Sequence, residues 1–151
     1  MMHWTMKKIA PALLVSLFAL QLSAAELNWL TDLPKAQEQA RKEKKMVLMN
    51  FTGSDWCGWC MKLKAEVFAT KEFGEYATKN LVLVEVDFPR RKKLSAEQKK
   101  ANEALQNKYR AEGFPTVVVL DSTGKEVWKQ RGYLPGGPKV WLAKLDEARK
   151  K

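Results

Sequence analysis

Three features of the sequence predict an α/β fold, with a central mixed sheet covered by helices on both faces. Helical and strand-like segments alternate along it. Two of the strand-like segments, residues 46–51 and 81–87, are nearly all apolar, as strands covered on both faces are. The last two strand-like segments are close enough to form a hairpin. Hydrophobic residues make up 46% of the 151, enough for the core of one ordinary domain and too many for global disorder. There is no internal repeat and no low-complexity domain.

Residues 1–25 read as an address that precedes the fold. They hold no acidic residue, and Lys7 and Lys8 stand ahead of an apolar run over residues 9–22. A membrane-spanning helix needs roughly 20 apolar residues, so this run is short for one. Ser23, Ala24 and Ala25 follow, and polarity rises at Glu26. A basic start, a short apolar middle and an A-x-A-like end describe a secretory signal peptide, with cleavage expected after Ala25. Met6 offers a second start that would give a shorter leader. The expected organisation is a signal peptide over 1–25 and one domain over 26–151, periplasmic or secreted.

Each element of that domain has its own signal. A short strand is expected near 27–30. Pro34 suits the first turn of a helix over 34–44, where Ala36, Gln39 and Ala40 are good helix formers. The run 46–51 is a buried strand. Residues 52–55 break it, and 57–69 are helical again. A further helical piece over 70–76 puts Phe68, Phe73 and Tyr76 on a buried side. Residues 81–87, rich in β-branched side chains, form the second strong strand. Past a basic stretch at 89–93, Ser95 and Gln98 have capping-box spacing for a helix over 95–109. Residues 116–120 are the third strong strand, 121–124 a turn, and 126–131 the second arm of a hairpin. An irregular stretch leads into a closing helix over 138–149, with Val140, Trp141, Leu145 and Ala148 on its apolar side. Trp29, Trp128 and Trp141 are expected in core or hairpin packing.

Soft ligands are scarce. The chain has two cysteines and one histidine, His3, which leaves with the leader. The domain then has no histidine base, and a protein-only zinc site, which needs four Cys or His ligands, is not expected. Both cysteines lie in Trp56-Cys57-Gly58-Trp59-Cys60, after a strand and at a helix start. Free N–H groups and the positive end of a helix dipole favour an anion there, so the Cys57 thiol should ionise more readily than an ordinary one. Cys60, one turn further in, should be more buried and less ionised. In that arrangement Cys57 attacks a disulfide to form a mixed disulfide, and Cys60 resolves it. A structural disulfide is the plainer alternative, although bridging residues three apart constrains the unfolded chain little. Haem attachment would need a histidine after the second cysteine, where Met61 stands.

At this point the sequence resembles the thioredoxin superfamily, especially its exported single-domain members and the C-terminal domain of Dsb-type disulfide reductases. The likeness rests on the strand over 46–51, the segment Phe51-Thr-Gly-Ser-Asp-Trp-Cys-Gly-Trp-Cys60, the strand ending at Asp87, Gly113-Phe114-Pro115-Thr116, and the turn from Asp121 to Lys125. The resemblance implies a thioredoxin-like fold, a redox-active Cys57–Cys60 disulfide, and no bound cofactor or metal, since the two sulfurs are the redox group. Pro115 matches the family's cis-proline beside the disulfide, and Phe114 would offer its backbone to an extended substrate segment. Trp56 and Trp59 flank Cys57 and are expected to form an apolar docking rim, with Trp59 the more exposed; Gly58 completes the motif. Thioredoxins carry a buried Asp before the motif that helps to deprotonate the resolving cysteine. Asn50 and Phe51 hold that neighbourhood here, and Asn cannot act as a base, so the role stays open between Asp55 and Glu85.

The implied activity is thiol–disulfide exchange that reduces or isomerises disulfides of exported proteins. Alternatives are a disulfide-forming oxidase of the same fold and a non-catalytic binding or chaperone module. Expected partners are disulfide-bearing or unfolded exported proteins and a membrane or thioredoxin-type electron donor, with the chain acting as a monomer. Lys and Arg number 27 against 17 Asp and Glu, a net +10, with basic runs at 41–45, 90–93, 99–100 and 149–151. These read as solvated faces, the alternative being attraction to acidic substrates or an anionic membrane surface. No aromatic-basic stacking motif points to nucleic acid.

Overall fold

A computed structural model of the chain describes residues 26–151. The expected leader over 1–25 and the choice between Met1 and Met6 lie outside the described residues. Five strands form one sheet in the order β1-β3-β2-β4-β5. They are β1 (Trp29–Leu30), β2 (Met46–Thr52), β3 (Leu81–Asp87), β4 (Thr116–Leu120) and β5 (Glu126–Arg131). β1 and β2 run parallel to β3, β4 runs antiparallel to β2, and β5 closes an antiparallel hairpin with β4. The helices are α1 (Leu33–Glu43), α2 (Gly58–Leu63), α3 (Lys71–Asn80), α4 (Ala96–Tyr109) and α5 (Gly137–Arg149). Among the described residues no helix is long and apolar enough to cross a membrane.

Alternation along the strands divides the core into two layers, because successive side chains point to opposite faces. Val47, Met49 and Phe51, with Val82, Val84 and Val86, pack under Leu33, Ala36 and Ala40 of α1 and Tyr109 of α4. Met46 and Leu48, with Leu81, Leu83, Val117 and Val119, pack under residues of α2, α3 and α5. Trp141 of α5 is fully buried in this second layer, edge-on to Phe68 and Trp128, and its indole N–H donates to the Leu134 carbonyl at 3.2 Å. The strong strands begin where expected because their composition suits only a covered sheet. The end of β2 carries the chain directly towards Cys57.

The segment 57–69 is helical as expected, in two forms: α2 gives way to a π-helical turn, Lys64–Phe68. Two expectations need correction. The next helix extends past Tyr76 to Asn80, with Thr70 as its N-cap, and runs straight into β3. The capping box at α4 is one-sided. Ser95 Oγ accepts the Gln98 N–H at 3.1 Å, but the Gln98 side chain donates to the Thr31 carbonyl and to Asn102 Oδ1.

Candidate active site

Paired ends of the two central parallel strands shape the loop before the cysteines. The Phe88 N–H donates to the Thr52 carbonyl at 2.8 Å, extending the pairing by one residue. Asp87, buried at the end of β3, accepts the Ser54 N–H at 2.9 Å and the Ser54 hydroxyl. Asn102 of α4 donates to the Asp87 carbonyl at 2.9 Å, so a helix from the opposite layer holds the same point. Gly53 lies directly against Trp56, where a Cβ would overlap the indole, and its carbonyl accepts the Cys57 N–H at 2.9 Å.

Cys57 is the N-cap of α2, in extended conformation (φ −88°, ψ 104°), and its sulfur accepts the Cys60 N–H at 3.2 Å. The two cysteines form a disulfide with their Cα atoms 5.2 Å apart. Both are buried, Cys57 at 7% exposure and Cys60 at 5%, so the expected difference in burial is slight. Position distinguishes them instead. Cys57 caps the helix, its sulfur receiving the Cys60 N–H, and Cys60 lies within the helix.

The two tryptophans have different surroundings. Trp59 is 58% exposed, its ring 5.4 Å from that of Tyr133. The Lys62 ammonium lies over both rings, and the Tyr133 hydroxyl donates to Glu66. Trp56 does not form a free rim. It is half-buried, its indole N–H donates to the Phe88 carbonyl at 2.7 Å, and it meets Phe114 edge-on at 5.8 Å. The reason is local: Gly53 leaves room for the indole, and the end of β3 offers it a carbonyl. The Arg90 guanidinium lies over its ring, 3.9 Å from the centroid. Phe114 also contacts Phe88. The Phe114–Pro115 bond is cis, with Pro115 buried at the start of β4, beside the strand that leads to Cys57. Gly58 is exposed, with open space about its Cα.

The three polar residues considered for proton transfer also separate. Asp55 accepts the N–H groups of Arg90, Arg91 and Lys92 at 2.9, 2.8 and 3.0 Å. Those bonds hold its carboxyl down at about 2, so it stays ionised as an anchor and is no proton acceptor near neutrality. Asn50 and Glu85 are neighbours in register across β2 and β3, on the α2 side of the sheet. Asn50 is 92% buried, and its Oδ1 has no hydrogen-bond partner among the described residues. Burial, with Asp87 nearby, pushes the Glu85 carboxyl above its ordinary value. Both line a cavity of about 950 Å3 that also reaches Lys64, Phe68 and Trp29 but neither cysteine.

Sequence reasoning missed the Ser54–Asp87–Asn102 anchor, the Arg90–Trp56 stack and Tyr133. Asp87 had a visible signal, since a polar residue ends an apolar strand there. Tyr133, in an irregular stretch far along the chain, had none.

A thioredoxin-like domain model matches residues 33–149. The disulfide bond reductase DsbH of Chlamydia pneumoniae is 36% identical over 129 residues, covering 85% of this chain and 76% of that protein. The thioredoxin-related protein DsbJ of the same organism is 29% identical over 128 residues, but the match spans only 37% of its length. A solved DsbH oxidoreductase structure superposes with a TM-score of 0.78 at 31% identity, covering 99% of this chain and 95% of that one. A thioredoxin from Thermus thermophilus matches in fold, with a TM-score of 0.60 at 21% identity, covering 80% of this chain and 85% of that one. The chain belongs to the thioredoxin-like family, and its paired Cys57 and Cys60 make it a thiol–disulfide oxidoreductase.

Proposed function

We propose that the chain is exported and reduces or isomerises disulfides in exported proteins, with Cys57 as the attacking and Cys60 as the resolving sulfur. The observation that carries this reading is the Cys57 sulfur at the N-cap of α2, receiving the Cys60 N–H beside an exposed Trp59. The similarity to a protein named disulfide bond reductase favours the reducing direction over net oxidation. Starting from the dithiol, the Cys57 thiolate attacks one substrate sulfur. A Cys57–substrate bond forms, the substrate S–S bond breaks, and the departing thiolate takes up a proton. Cys60, as thiolate, then attacks the Cys57 sulfur and releases the second substrate thiol. Two electrons have passed to the substrate, and the chain is left with the Cys57–Cys60 disulfide present in the structure. A dithiol electron donor restores the starting state. Trp59 supplies exposed apolar area for docking. Phe114, ahead of cis Pro115, offers backbone to an extended segment. Residues 1–25 act as the signal peptide and 26–151 as the exported domain.

Insulin reduction with dithiothreitol as donor tests the activity. The native protein should accelerate it, Cys57→Ser should abolish the effect, and Cys60→Ser should accumulate a mixed disulfide. Equal behaviour of native protein and Cys57→Ser would point to a binding module. Equilibration with glutathione tests direction: a midpoint near about −270 mV fits a reductant, and one near about −120 mV would favour an oxidase. Export is tested by N-terminal sequencing of protein recovered from the periplasm, with Glu26 expected as the first residue.

A further inference from the structure

The loop that joins β3 to α4 carries four consecutive cations, Arg90, Arg91, Lys92 and Lys93, and it is fixed in place. Asp55 binds three of its backbone N–H groups, and Arg90 stacks on Trp56, the residue before Cys57. The side chains are not what Asp55 holds. Among the described residues, none of the four has a carboxylate within ion-pair distance, whereas Lys35, Lys42, Lys45, Lys62, Lys71 and Lys129 each have one. The ionised Asp55, beside Arg91, and Glu85, within electrostatic reach of Lys92, offset the four cations only in part. At about 3.5 Å per residue, three further residues keep the loop backbone within roughly 10 Å of Arg90, about one Debye length at 0.1 M salt. The rim on the Trp56 side of the disulfide is therefore a net positive surface in fixed geometry.

We propose that residues 90–93 form a recognition site for Asp and Glu side chains lying within a few residues of the cysteine in the protein substrate. The proposal rests on the reducing activity proposed above and adds to it a substrate class. Apolar contact at Trp59 tolerates many sequences, whereas opposed charge on the Trp56 side selects acidic segments and speeds their encounter.

The test uses peptides closed by one disulfide, identical except that the residues flanking each cysteine are Glu, Gln or Lys. Each rate with protein expressed from the full chain is divided by that peptide's rate with dithiothreitol alone, which removes intrinsic reactivity. The normalised kcat/KM should favour Glu over Lys peptides by about tenfold at low ionic strength, and the ratio should collapse towards one in 1 M salt. Arg91→Gln/Lys92→Gln/Lys93→Gln, which leaves the backbone bonds to Asp55 and the Arg90 stack intact, should bring the ratio near one. Arg41→Gln/Lys42→Gln/Lys44→Gln removes equal charge where α1 leads into the start of β2, at the far end of the sheet from Cys57, and should keep the preference. Equal rates of the native protein on all three peptides would overturn the proposal and leave the reducing activity standing. So would a preference that survives the loop variant or is lost equally in the α1 variant. Salt-sensitive loop binding to vesicles of anionic lipid without any peptide preference would assign the loop to a membrane surface and also overturn it. Failure of the native protein to reduce even the Gln peptide would instead defeat the activity itself.

Discussion

Replacing Asn50 with leucine should make the protein more stable. Asn50 sits in the middle of β2 between Glu85 and Val117, 92% buried, with an Oδ1 that has no partner among the described residues. An unsatisfied buried polar group costs about 1–3 kcal/mol, and a substitution that removes it recovers that penalty. Leucine is larger, and overpacking commonly costs about 1–3 kcal/mol where there is no room. Here the residue borders a cavity of about 950 Å3, which gives the added methyl groups space. The net expectation is a gain of about 1–3 kcal/mol, or roughly 4–12 °C in the unfolding midpoint at about 4 °C per kcal/mol for a domain of this size. Thermal unfolding of the oxidised protein, followed by far-UV circular dichroism for native and Asn50→Leu forms, measures it. A midpoint equal to or below the native value would refute the reasoning, because it would mean that the amide contributes more than its burial costs. Insulin reduction by the same variant adds a second reading. A more stable but slower enzyme would show that the amide is kept for chemistry at the expense of stability.

Three further outcomes are expected. Gly53→Ala should push the Trp56 indole off its place, break its bond to the Phe88 carbonyl and destabilise by about 1–3 kcal/mol; native-like melting and turnover together would contradict the packing described. Trp59→Ala should change stability by less than about 0.5 kcal/mol, because the ring is mostly exposed. It should cost about tenfold more in kcat/KM on a protein disulfide than on hydroxyethyl disulfide, which matches about 1.4 kcal/mol of docking contact; equal losses on both would remove Trp59 from the docking rim. Glu85→Gln reports on pH. A carboxyl whose value is raised by folding stabilises the native state below its unfolded value, and that stabilisation is lost as pH rises through the folded value. The variant should therefore match the native protein near about pH 4 and exceed it in stability near about pH 7; a stability difference that does not vary with pH would rule out a perturbed Glu85.

The β-strands and the redox motif were legible because each is encoded locally. A run such as Leu81-Val-Leu-Val is compatible with few environments, and a Cys-x-x-Cys after a strand needs only its immediate neighbours to be recognised. Features that depend on two distant segments meeting were not legible. The change from α-helix to π-helix at Lys64 answers to Phe68 having to reach Trp29, Phe73 and Trp141, which come from three separate elements. The one-sided cap at Ser95 arises because Thr31, far earlier in the chain, offers Gln98 a carbonyl. The sequence marked Trp59 as the more exposed of the two tryptophans but did not show what would hold Trp56. Only the ends of β2 and β3, lying side by side, give its indole a partner.

Asp55 shows how the same limit affects function. By residue type and its place in the loop before the motif it was a candidate base for the resolving Cys60, alongside Glu85. A carboxylate's chemistry, however, depends on what already bonds to it. Three backbone N–H groups from one loop leave Asp55 a fixed negative charge, and that loop then carries four cations beside the tryptophan next to Cys57. The acidic residue nearest the motif thus serves to hold four cations there, and its own single charge offsets them only in part. A base for Cys60 has to be sought elsewhere, and Glu85 on the α2 face is the half-buried carboxylate whose affinity for a proton is raised. If Glu85 takes that part, the Glu85→Gln variant should slow resolution of the mixed disulfide while leaving its formation by Cys57 at the native rate, a split that stopped-flow measurement of the two steps resolves. Equal slowing of both steps would mean that Glu85 acts on the fold alone.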